Sequence, residues 1–413
     1  MKQTEIIQPN WKKIISWFMT GQAFSLFGSS LVGFAIVWHI TLETKSGLMM
    51  TIGTICMFLP QLIISLFAGV WADRHNRKLL IILADGGIAI ATLLLAIVFL
   101  MGYRELWLIF LILAIRSVGS GIQTPAVGAI IPQMVPVDKL MKVNGFNGSL
   151  QSAITLLSPI AGAALLTFMP LETIFFIDVI TAIIGIGIML VLPIKTHERR
   201  ENQENVGYFK DLKIGWDFVK KNVFVREMLS LYTFYYFLIT PVAFMSLVAV
   251  VRNFGDEVWR LSAIEIAFSG GMMLGGLIIS WWGGFKNGIN TIAMSCFIVG
   301  ITNIFLFIPD FNIYMAMMAV SGIFASFFYT TEMALFQSMI DEDMQGRVFS
   351  WMQIVATSVL PLGMFFFGPL GDIIKVDYQF LVCGILLVVL SVRIFFNKKL
   401  KNEVGAKAEN PKN

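Results

Sequence analysis

Long apolar segments separated by short polar ones run through nearly the whole chain of 413 residues. Twelve of these segments hold about 20 apolar residues each, enough for a helix to cross roughly 30 Å of hydrocarbon. Because lipid offers no hydrogen-bond partners, each segment must be a helix rather than an open strand. The pattern predicts an all-α integral membrane protein with twelve transmembrane helices. The predicted spans are about 14–40, 47–71, 79–101, 106–130, 143–168, 172–193, 224–251, 262–283, 290–309, 312–338, 347–371 and 378–397.

The second half of the pattern repeats the first. The longest polar stretch, 195–222, separates six spans from six, and QSAITLLSP in the fifth span matches QIVATSVLP in the eleventh at Gln, Thr and Pro. A parallel repeat of this kind predicts two pseudo-symmetric six-helix bundles with a central cavity between them. The predicted parts are an N-terminal bundle at 1–193, a cytoplasmic linker at 194–223, a C-terminal bundle at 224–397 and a cytoplasmic tail at 398–413.

Charged residues indicate how the spans are oriented. Most of the 30 Lys and Arg residues fall on one side when both termini are placed in the cytoplasm, as the positive-inside rule requires. The net charge of +4 then reflects topology rather than nucleic-acid binding. Within the linker, apolar residues at helical spacing in 211–221 favour an amphipathic helix, and a solvated linker explains the segment equally well.

Composition narrows the function classes. The chain is 57% hydrophobic and only 14% charged, and its three cysteines lie in apolar runs, which indicates packing rather than disulfides. The sequence shows no Walker motif, metal-ligand cluster or nucleophile triad. We therefore expect no enzymatic activity, no cofactor and no metal. The expected partners are the lipid bilayer and a small amphipathic substrate, without nucleic acid or an obligate protein partner.

The loop after the second span, GVWADRHNRKLL, resembles the signature Gly-x-x-x-Asp-Arg/Lys-x-Gly-Arg-Lys/Arg of the major facilitator superfamily of secondary transporters. The matching residues are Gly69, Asp73, Arg74, Arg77 and Lys78. Asn76 stands where the family has glycine, and we expect the turn to survive because asparagine tolerates a left-handed backbone. The resemblance implies a cytoplasmic gate, in which Asp73 caps the third span or pairs with a cation of the opposite half. A solvated topology anchor is the alternative.

A segment of the fifth span resembles half of the Gly-Pro-x-x-Gly-Gly signature of exporters in this superfamily. It retains Pro159 and Gly162, and Ser158 stands where the signature has its first glycine. We expect these residues to pack closely across the seam between the halves, and an ordinary helix kink is the alternative. Together with the run at 115–136, the chain looks most like the bacterial macrolide-efflux branch and also resembles siderophore exporters.

This resemblance implies a secondary active exporter in the bacterial cytoplasmic membrane. Its expected cargo is amphipathic drugs such as macrolide antibiotics, moved by alternating access and antiport against the proton gradient. Export of an endogenous metabolite or siderophore is the first alternative. A membrane receptor that has the transporter fold but moves nothing is the second.

Ionisable residues inside the spans are the candidates for proton coupling. Arg116 lies about 15 Å into the fourth span, and Asp178 about 9 Å into the sixth. Asp178 is the predicted proton carrier with Arg116 as its counter-charge, and a permanent structural ion pair is the alternative. We expect Asp85 to make a structural hydrogen bond near the loop and Glu265 to form a capping box with Ser262.

Residues that could line a substrate cavity are harder to choose, because consecutive aromatic residues cover every face of a helix. An amphipathic solute suits a mostly apolar cavity with sparse polar groups. The candidates are Phe234, Tyr235, Tyr329, Glu332, Gln151 and Gln353. For each aromatic candidate, packing or lipid contact is the alternative. Gly271 and Gly275, spaced as Gly-x-x-x-Gly, predict a close helix crossing.

Overall fold

The computed structural model describes residues 10–136, 139–194, 208–340 and 342–409. These residues form helices joined by short turns, and no strand occurs among them. Twelve helices in the described part are long and apolar enough to cross a membrane. The predicted all-α membrane fold is therefore confirmed, and the protein is a multi-pass membrane protein.

Backbone contacts divide the chain into two units. One comprises Met1–Glu43 and Ile52–Asn202, and the other comprises Thr44–Thr51 and Gln203–Asn413. The segment Thr44–Thr51, at the beginning of the second helix, thus groups with residues far away in sequence.

The helices of the first half follow the predicted spans closely. They are α1 (Trp11–Thr44), α2 (Gly47–Arg74), α3 (Arg77–Leu100), α4 (Leu106–Met134), α5 (Leu140–Phe168) and α6 (Leu171–Val191). Buried apolar residues of α1, α3, α4 and α6 form one core, which includes Phe18, Ile81, Ile130 and Met189. In this core α3 packs on both α4 and α6.

The second half contains six further spans and two shorter helices. The helices are α7 (Tyr208–Lys221), α8 (Val223–Thr240), α9 (Ser246–Phe254), α10 (Val258–Trp282), α11 (Gly288–Phe305), α12 (Phe311–Met339), α13 (Glu342–Ile373), α14 (Val376–Phe396) and α15 (Lys398–Glu409). A π-helical turn, Pro241–Met245, joins α8 to α9 within one continuous span, Val223–Phe254.

Both short helices pack on the core of the second unit. The helix favoured at 211–221 is present as α7, where Val219 is buried and the ring of Trp216 lies 4.7 Å from that of Trp351 on α13. In α15, Leu400 and Val404 are buried in the same core. The segment predicted as a tail therefore contains a packed helix, because these two apolar residues lie four apart on one helical face.

Helices α10 and α12 cross closely at glycines. A Cβ atom added at Gly271 would overlap the carbonyl oxygen of Ala319, and one added at Gly275 would overlap that of Ile323. Gly322 on α12 meets the carbonyl oxygen of Phe268 in the same way. The close packing predicted from the Gly-x-x-x-Gly spacing is confirmed, since only glycine leaves room for the facing backbone.

The glycine crossing yields a stability prediction. Gly271→Ala should destabilise the protein by about 1–3 kcal/mol, because the added methyl group forces two helix backbones apart. Thermal unfolding of the purified protein in detergent would measure this. Gly270→Ala is the matched control, since no atom lies within 4 Å of its added Cβ, and it should be neutral or slightly stabilising. Equal melting temperatures for the two variants would contradict the packing argument.

Candidate functional site

A buried ion pair lies inside the first unit. The guanidinium Nη1 of Arg116, on α4, pairs with carboxylate Oδ2 of Asp178, on α6. Arg116 is 7% exposed and Asp178 is 0% exposed. The two residues that the sequence singled out for coupling are thus direct partners.

Hydroxyl groups from two further helices complete the coordination of this pair. Thr92 on α3 donates to Asp178 Oδ2 at 3.0 Å, and Ser29 on α1 donates to Asp178 Oδ1 at 3.0 Å. The guanidinium also donates to the backbone carbonyl of Ser29 at 3.1 Å and to the Thr92 hydroxyl. Four helices therefore meet at one carboxylate, and both its oxygens accept hydrogen bonds. Such a saturated pair holds its charges at low cost in an apolar medium.

A second acid lies near the ion pair. Asp85 on α3 is buried, and its carboxylate interacts with the Ser25 hydroxyl and with the charge of Asp178. The structural hydrogen bond predicted for Asp85 thus has its partner, Ser25, on α1. Nearby, the buried Gln123 amide donates to Gln22 at 2.9 Å. This part of the first unit thus brings the carboxyl groups of Asp85 and Asp178 close to the Arg116 guanidinium, with short polar side chains beside them.

Aromatic residues and a different acid mark the interior of the second unit. Tyr235 on α8 stacks on Phe328 of α12, with ring centroids 3.8 Å apart, and lies edge-on to Tyr329. Glu332, one turn beyond Tyr329, is 2% exposed, and its Oε1 has no hydrogen-bond partner among the described residues. The second unit thus holds a carboxyl group against aromatic rings, where the first unit pairs one with arginine.

A cavity of about 140 Å³ adjoins this aromatic cluster. Its walls come from α8, α9, α10, α11, α12 and the π-helical turn, and include Tyr235, Tyr329, Glu265 and Asn303. The capping box predicted for Glu265 is wrong. Helix α10 begins four residues earlier than expected, at Val258, and the Ser262 hydroxyl donates to the carbonyl of Val258 instead.

Of the six residues predicted to line a substrate cavity, two line this one. Tyr235 and Tyr329 line this cavity and Glu332 adjoins them. Phe234 is 53% exposed, and Gln151 is exposed on α5. Gln353 lies on α13, with its side chain outside the described part of the structure. The role of all six in substrate binding stays a prediction.

A polar cluster that the sequence did not single out fixes the beginning of α2. The Asp372 carboxylate accepts hydrogen bonds from the Ser46 hydroxyl at 2.7 Å and from the backbone N–H groups of Gly47 at 2.7 Å and Leu48 at 2.8 Å. Arg252 forms an ion pair with the same carboxylate at 2.6 Å. An acid at a helix N-terminus is favourable because it meets unpaired N–H groups and the positive end of the helix dipole.

An exposed ion pair borders this cluster. Lys45, whose φ of 49° is left-handed, forms a salt bridge to Asp256 at 3.1 Å, and its carbonyl accepts from Arg252. Hydrogen bonding to Lys45 lowers the pKa of the Asp256 carboxyl below its usual value. No local sequence pattern could reveal the cluster, since Ser46 and Asp372 are 326 positions apart.

The fold and these sites can now be compared with known proteins. The model of the Major Facilitator Superfamily matches residues 18–359. The chain belongs to this superfamily. A relative, macrolide efflux protein A of Streptococcus pyogenes, is 30% identical over 386 residues, which cover 93% of this chain and 95% of the relative.

Two further superfamily members show how wide the likeness is. The staphyloferrin A transporter of Staphylococcus aureus is 21% identical over 93% of this chain and 96% of its own. Among solved structures, a POT family transporter in complex with 5-aminolevulinic acid aligns with a TM-score of 0.72 at 13% identity, covering 94% of this chain and 96% of that one. The likeness to the solved structure supports the superfamily fold alone.

The superfamily's loop signature takes a form that the sequence did not predict. Asn76 has φ −63° and ψ 107°, an extended rather than a left-handed conformation. Its side chain accepts from the backbone N–H groups of Lys78 and Leu79 and so caps α3. The left-handed turn expected at Asn76 is therefore wrong. The role of Asp73 in the gate stays a prediction, because its side chain lies outside the described part of the structure. Asparagine replaces glycine here as an N-cap, for which it is among the best residues.

The basic residues of the signature contact backbone carbonyls. Arg77 donates to Ala129 at 2.7 Å, and Lys78 donates to Leu190 and Leu192 at 2.9 Å. The Lys78 ammonium thus satisfies the C-terminal end of α6, where the helix dipole favours a cation. The other signature residues, Gly69, Asp73 and Arg74, lie in the last turns of α2, and the side chains of Asp73 and Arg74 fall outside the described part.

The exporter-like segment of α5 packs within its own unit. Ser158 and Pro159 are buried, and the atoms nearest to a Cβ added at Gly162 belong to Leu31, Trp38 and Phe34 of α1. At Gly162 the nearest neighbours are thus residues of α1, and the packing expected across the seam between the halves stays a prediction.

The N-cap of α3 can be tested by substitution. Asn76→Ala should cost about 1 kcal/mol because two N–H groups lose their acceptor, whereas Asn76→Gly should cost only a few tenths. Chemical or thermal unfolding in detergent would compare them. A glycine variant as unstable as the alanine variant would contradict the capping role.

Asp372 offers a second stability prediction. Asp372→Asn should lower stability by about 1–3 kcal/mol, because charge-assisted hydrogen bonds to the start of α2 are lost. The matched control is Asp256→Asn, which removes a fully exposed carboxylate of the same neighbourhood and should leave the melting temperature nearly unchanged. Similar shifts for both variants would show that the cap contributes nothing specific.

Proposed function

We propose that this superfamily member is a proton-coupled exporter of amphipathic drugs that works by alternating access. Macrolide antibiotics are the first class to test. The observation that carries the proposal is the 30% identity to a macrolide efflux protein over 93% of this chain and 95% of the relative.

The ion pair between Arg116 and Asp178 is the proposed coupling device. Protonation of Asp178 removes the negative charge that holds the arginine, and an unpaired guanidinium in a buried site costs about 3–5 kcal/mol. That cost favours a conformation in which the pair reaches water. Loss of the proton restores the pair and favours the opposite conformation. Thr92 and Ser29 hold the carboxylate at the hydrogen-bonding position that the arginine needs.

Antibiotic retention in cells tests this coupling. Cells that express the wild type should retain less erythromycin than cells without the protein, and a protonophore should abolish the difference. Asp178→Asn should bring retention close to that of cells without the protein, because the amide cannot load a proton. The control Glu172→Gln changes a carboxylate near the beginning of the same helix, paired at 2.6 Å with Arg104, and should remain active.

A double variant separates coupling from folding. Removing one charge of a buried pair is strongly destabilising, whereas removing both is much less so. The variant Arg116→Gln with Asp178→Asn should therefore reach the membrane in normal amounts and still lack protonophore-sensitive efflux. Normal efflux by either Asp178 variant would exclude this residue from the mechanism. Rescued efflux in the double variant would assign the pair a structural role only.

Export of a siderophore or another endogenous metabolite is the second candidate. It is favoured by the 21% identity to the staphyloferrin A transporter over 93% of this chain. Inverted membrane vesicles with an imposed pH gradient distinguish the candidates when they are supplied with erythromycin or with a carboxylate siderophore. Accumulation of the siderophore alone would support the second candidate. Binding of either compound without accumulation would favour a receptor that has the transporter fold.

A further inference from the structure

The walls of the cavity of about 140 Å³ in the second unit contain both polar and aromatic residues. Its volume leaves room for several water molecules or for one small organic group. Polar side chains in its walls are Tyr235, Ser246, Glu265, Asn303 and Ser321. The lining residues all belong to the second unit, so this cavity is separate from the Arg116–Asp178 pair.

Glu265 brings a carboxyl group to this cavity. It lies seven residues after the beginning of α10 at Val258, which places it about 10 Å along the helix. Among the described residues, its carboxylate forms neither a hydrogen bond nor an ion pair. A carboxylate held at this depth without a partner is costly, and such residues usually mark a functional site. The cavity therefore favours a cationic occupant.

Two further polar residues of the cavity wall have no hydrogen-bond partner among the described residues. Within that part of the chain, Asn303, 1% exposed, has no partner for its amide nitrogen or its amide oxygen, and the hydroxyl of the fully buried Tyr235 has none either. More than nine in ten buried polar groups in proteins are hydrogen-bonded. Three unpaired atoms on two neighbouring wall residues therefore indicate an arrangement built to contact a ligand.

The aromatic walls indicate what kind of cation fits. Tyr235, Tyr329 and Phe268 line the cavity, and aromatic faces attract organic ammonium groups. A bare metal ion would instead require several oxygen ligands in close geometry. In the described part of the chain no group of three acidic, histidine or cysteine side chains could hold one. One carboxylate, an amide oxygen and three rings match an alkylammonium group better than a metal ion.

The backbone beside the cavity is also unusual. The π-helical turn Pro241–Met245 interrupts the seventh span and contributes Val242 and Ala243 to the cavity wall. Single π-helical turns within α-helices occur frequently at functional sites. The π-helical turn, which is wider than an α-helical turn, thus lies beside the cavity.

We propose that this cavity binds an alkylammonium group. The Glu265 carboxylate is the counter-ion of this group. Asn303 Oδ1 and the Tyr235 hydroxyl oxygen contact the cation and accept hydrogen bonds from it where it carries N–H groups. The rings of Tyr329 and Phe268 cover it. The ammonium group can be the basic end of an exported drug or a free small amine, and only the first source rests on the proposed function.

Direct binding to the purified full-length protein in nanodiscs tests the proposal. The probe is tetramethylammonium, and tert-butanol is its uncharged counterpart of similar shape. Isothermal titration should show binding of the cation and none of the alcohol. Glu265→Gln should weaken cation binding about tenfold or more, because the charged partner is lost. The control Glu257→Gln removes a carboxylate at the N-cap of the same helix, paired with Arg260 outside the cavity, and should bind as the wild type does.

A second variant covers the case in which Glu265→Gln fails to fold. Asn303→Leu keeps the side-chain size and removes the amide. It should also weaken binding of tetramethylammonium several-fold, because the cation loses its contact with the negative end of the amide dipole. Three results would overturn the proposal. They are no binding of tetramethylammonium to the wild type, equal binding of the cation and the alcohol, and unchanged affinity in the variant that folds.

Competition with ethidium, an amphipathic cation, distinguishes the two sources of the ammonium group. Displacement of ethidium by tetramethylammonium would assign the cavity to the cationic end of a drug, and independent binding would assign it to a free amine. Because no gradient is applied, the measurement is independent of transport. Tetramethylammonium binding in a protein that exports nothing would contradict the proposed function alone, and drug export without such binding would contradict this inference alone.

Discussion

The absence of water inside a bilayer is the constraint on which this structure depends. Backbone groups must find partners within their own segment, so the twelve apolar segments become helices. The same constraint applies to each polar side chain that these helices carry inward. Where α1, α3, α4 and α6 meet, Asp178 receives hydrogen bonds from Ser29 and Thr92 and a charge from Arg116. The ion pair thus fixes the relative positions of four helices as well as providing a titratable group.

The second unit meets the constraint differently. Glu332 is buried with one oxygen unpaired, and Glu265 faces a cavity with no cation among the described residues. In the second unit the neighbours of Glu332 and Glu265 are the rings of Tyr235 and Tyr329, whereas in the first unit the neighbour of Asp178 is an arginine. A saturated pair suits a switch whose two states differ by one proton. Unpaired carboxyl groups beside aromatic rings suit the recognition of a cation that comes from outside the protein.

Local sequence patterns predicted the beginning of a helix wrongly where contacts with distant residues stabilise its first turn. The Ser262 and Glu265 spacing matched a capping box, yet α10 begins at Val258. Its first turn is stabilised by Trp259, whose ring packs edge-on against Phe311 at 5.4 Å, and by the 2.7 Å pair between Arg260 and Glu257. At Asn76 the pattern located the turn correctly but not its chemistry, because a glycine in a family signature does not tell which backbone conformation its replacement adopts.

The sequence by itself determined the membrane environment, the number and approximate positions of the spans, the glycine crossing of α10 and α12, and the pair of charged residues that the interior must accommodate. Hydropathy and helical spacing are local properties, and they suffice for these features. Only the tertiary structure decided that Thr92 and Ser29 complete the Arg116 pair, that Asp372 caps α2, and that Glu265 lines a cavity with Asn303. These contacts join residues far apart in sequence, and their energies depend on burial and distance, which exist only once the helices have packed.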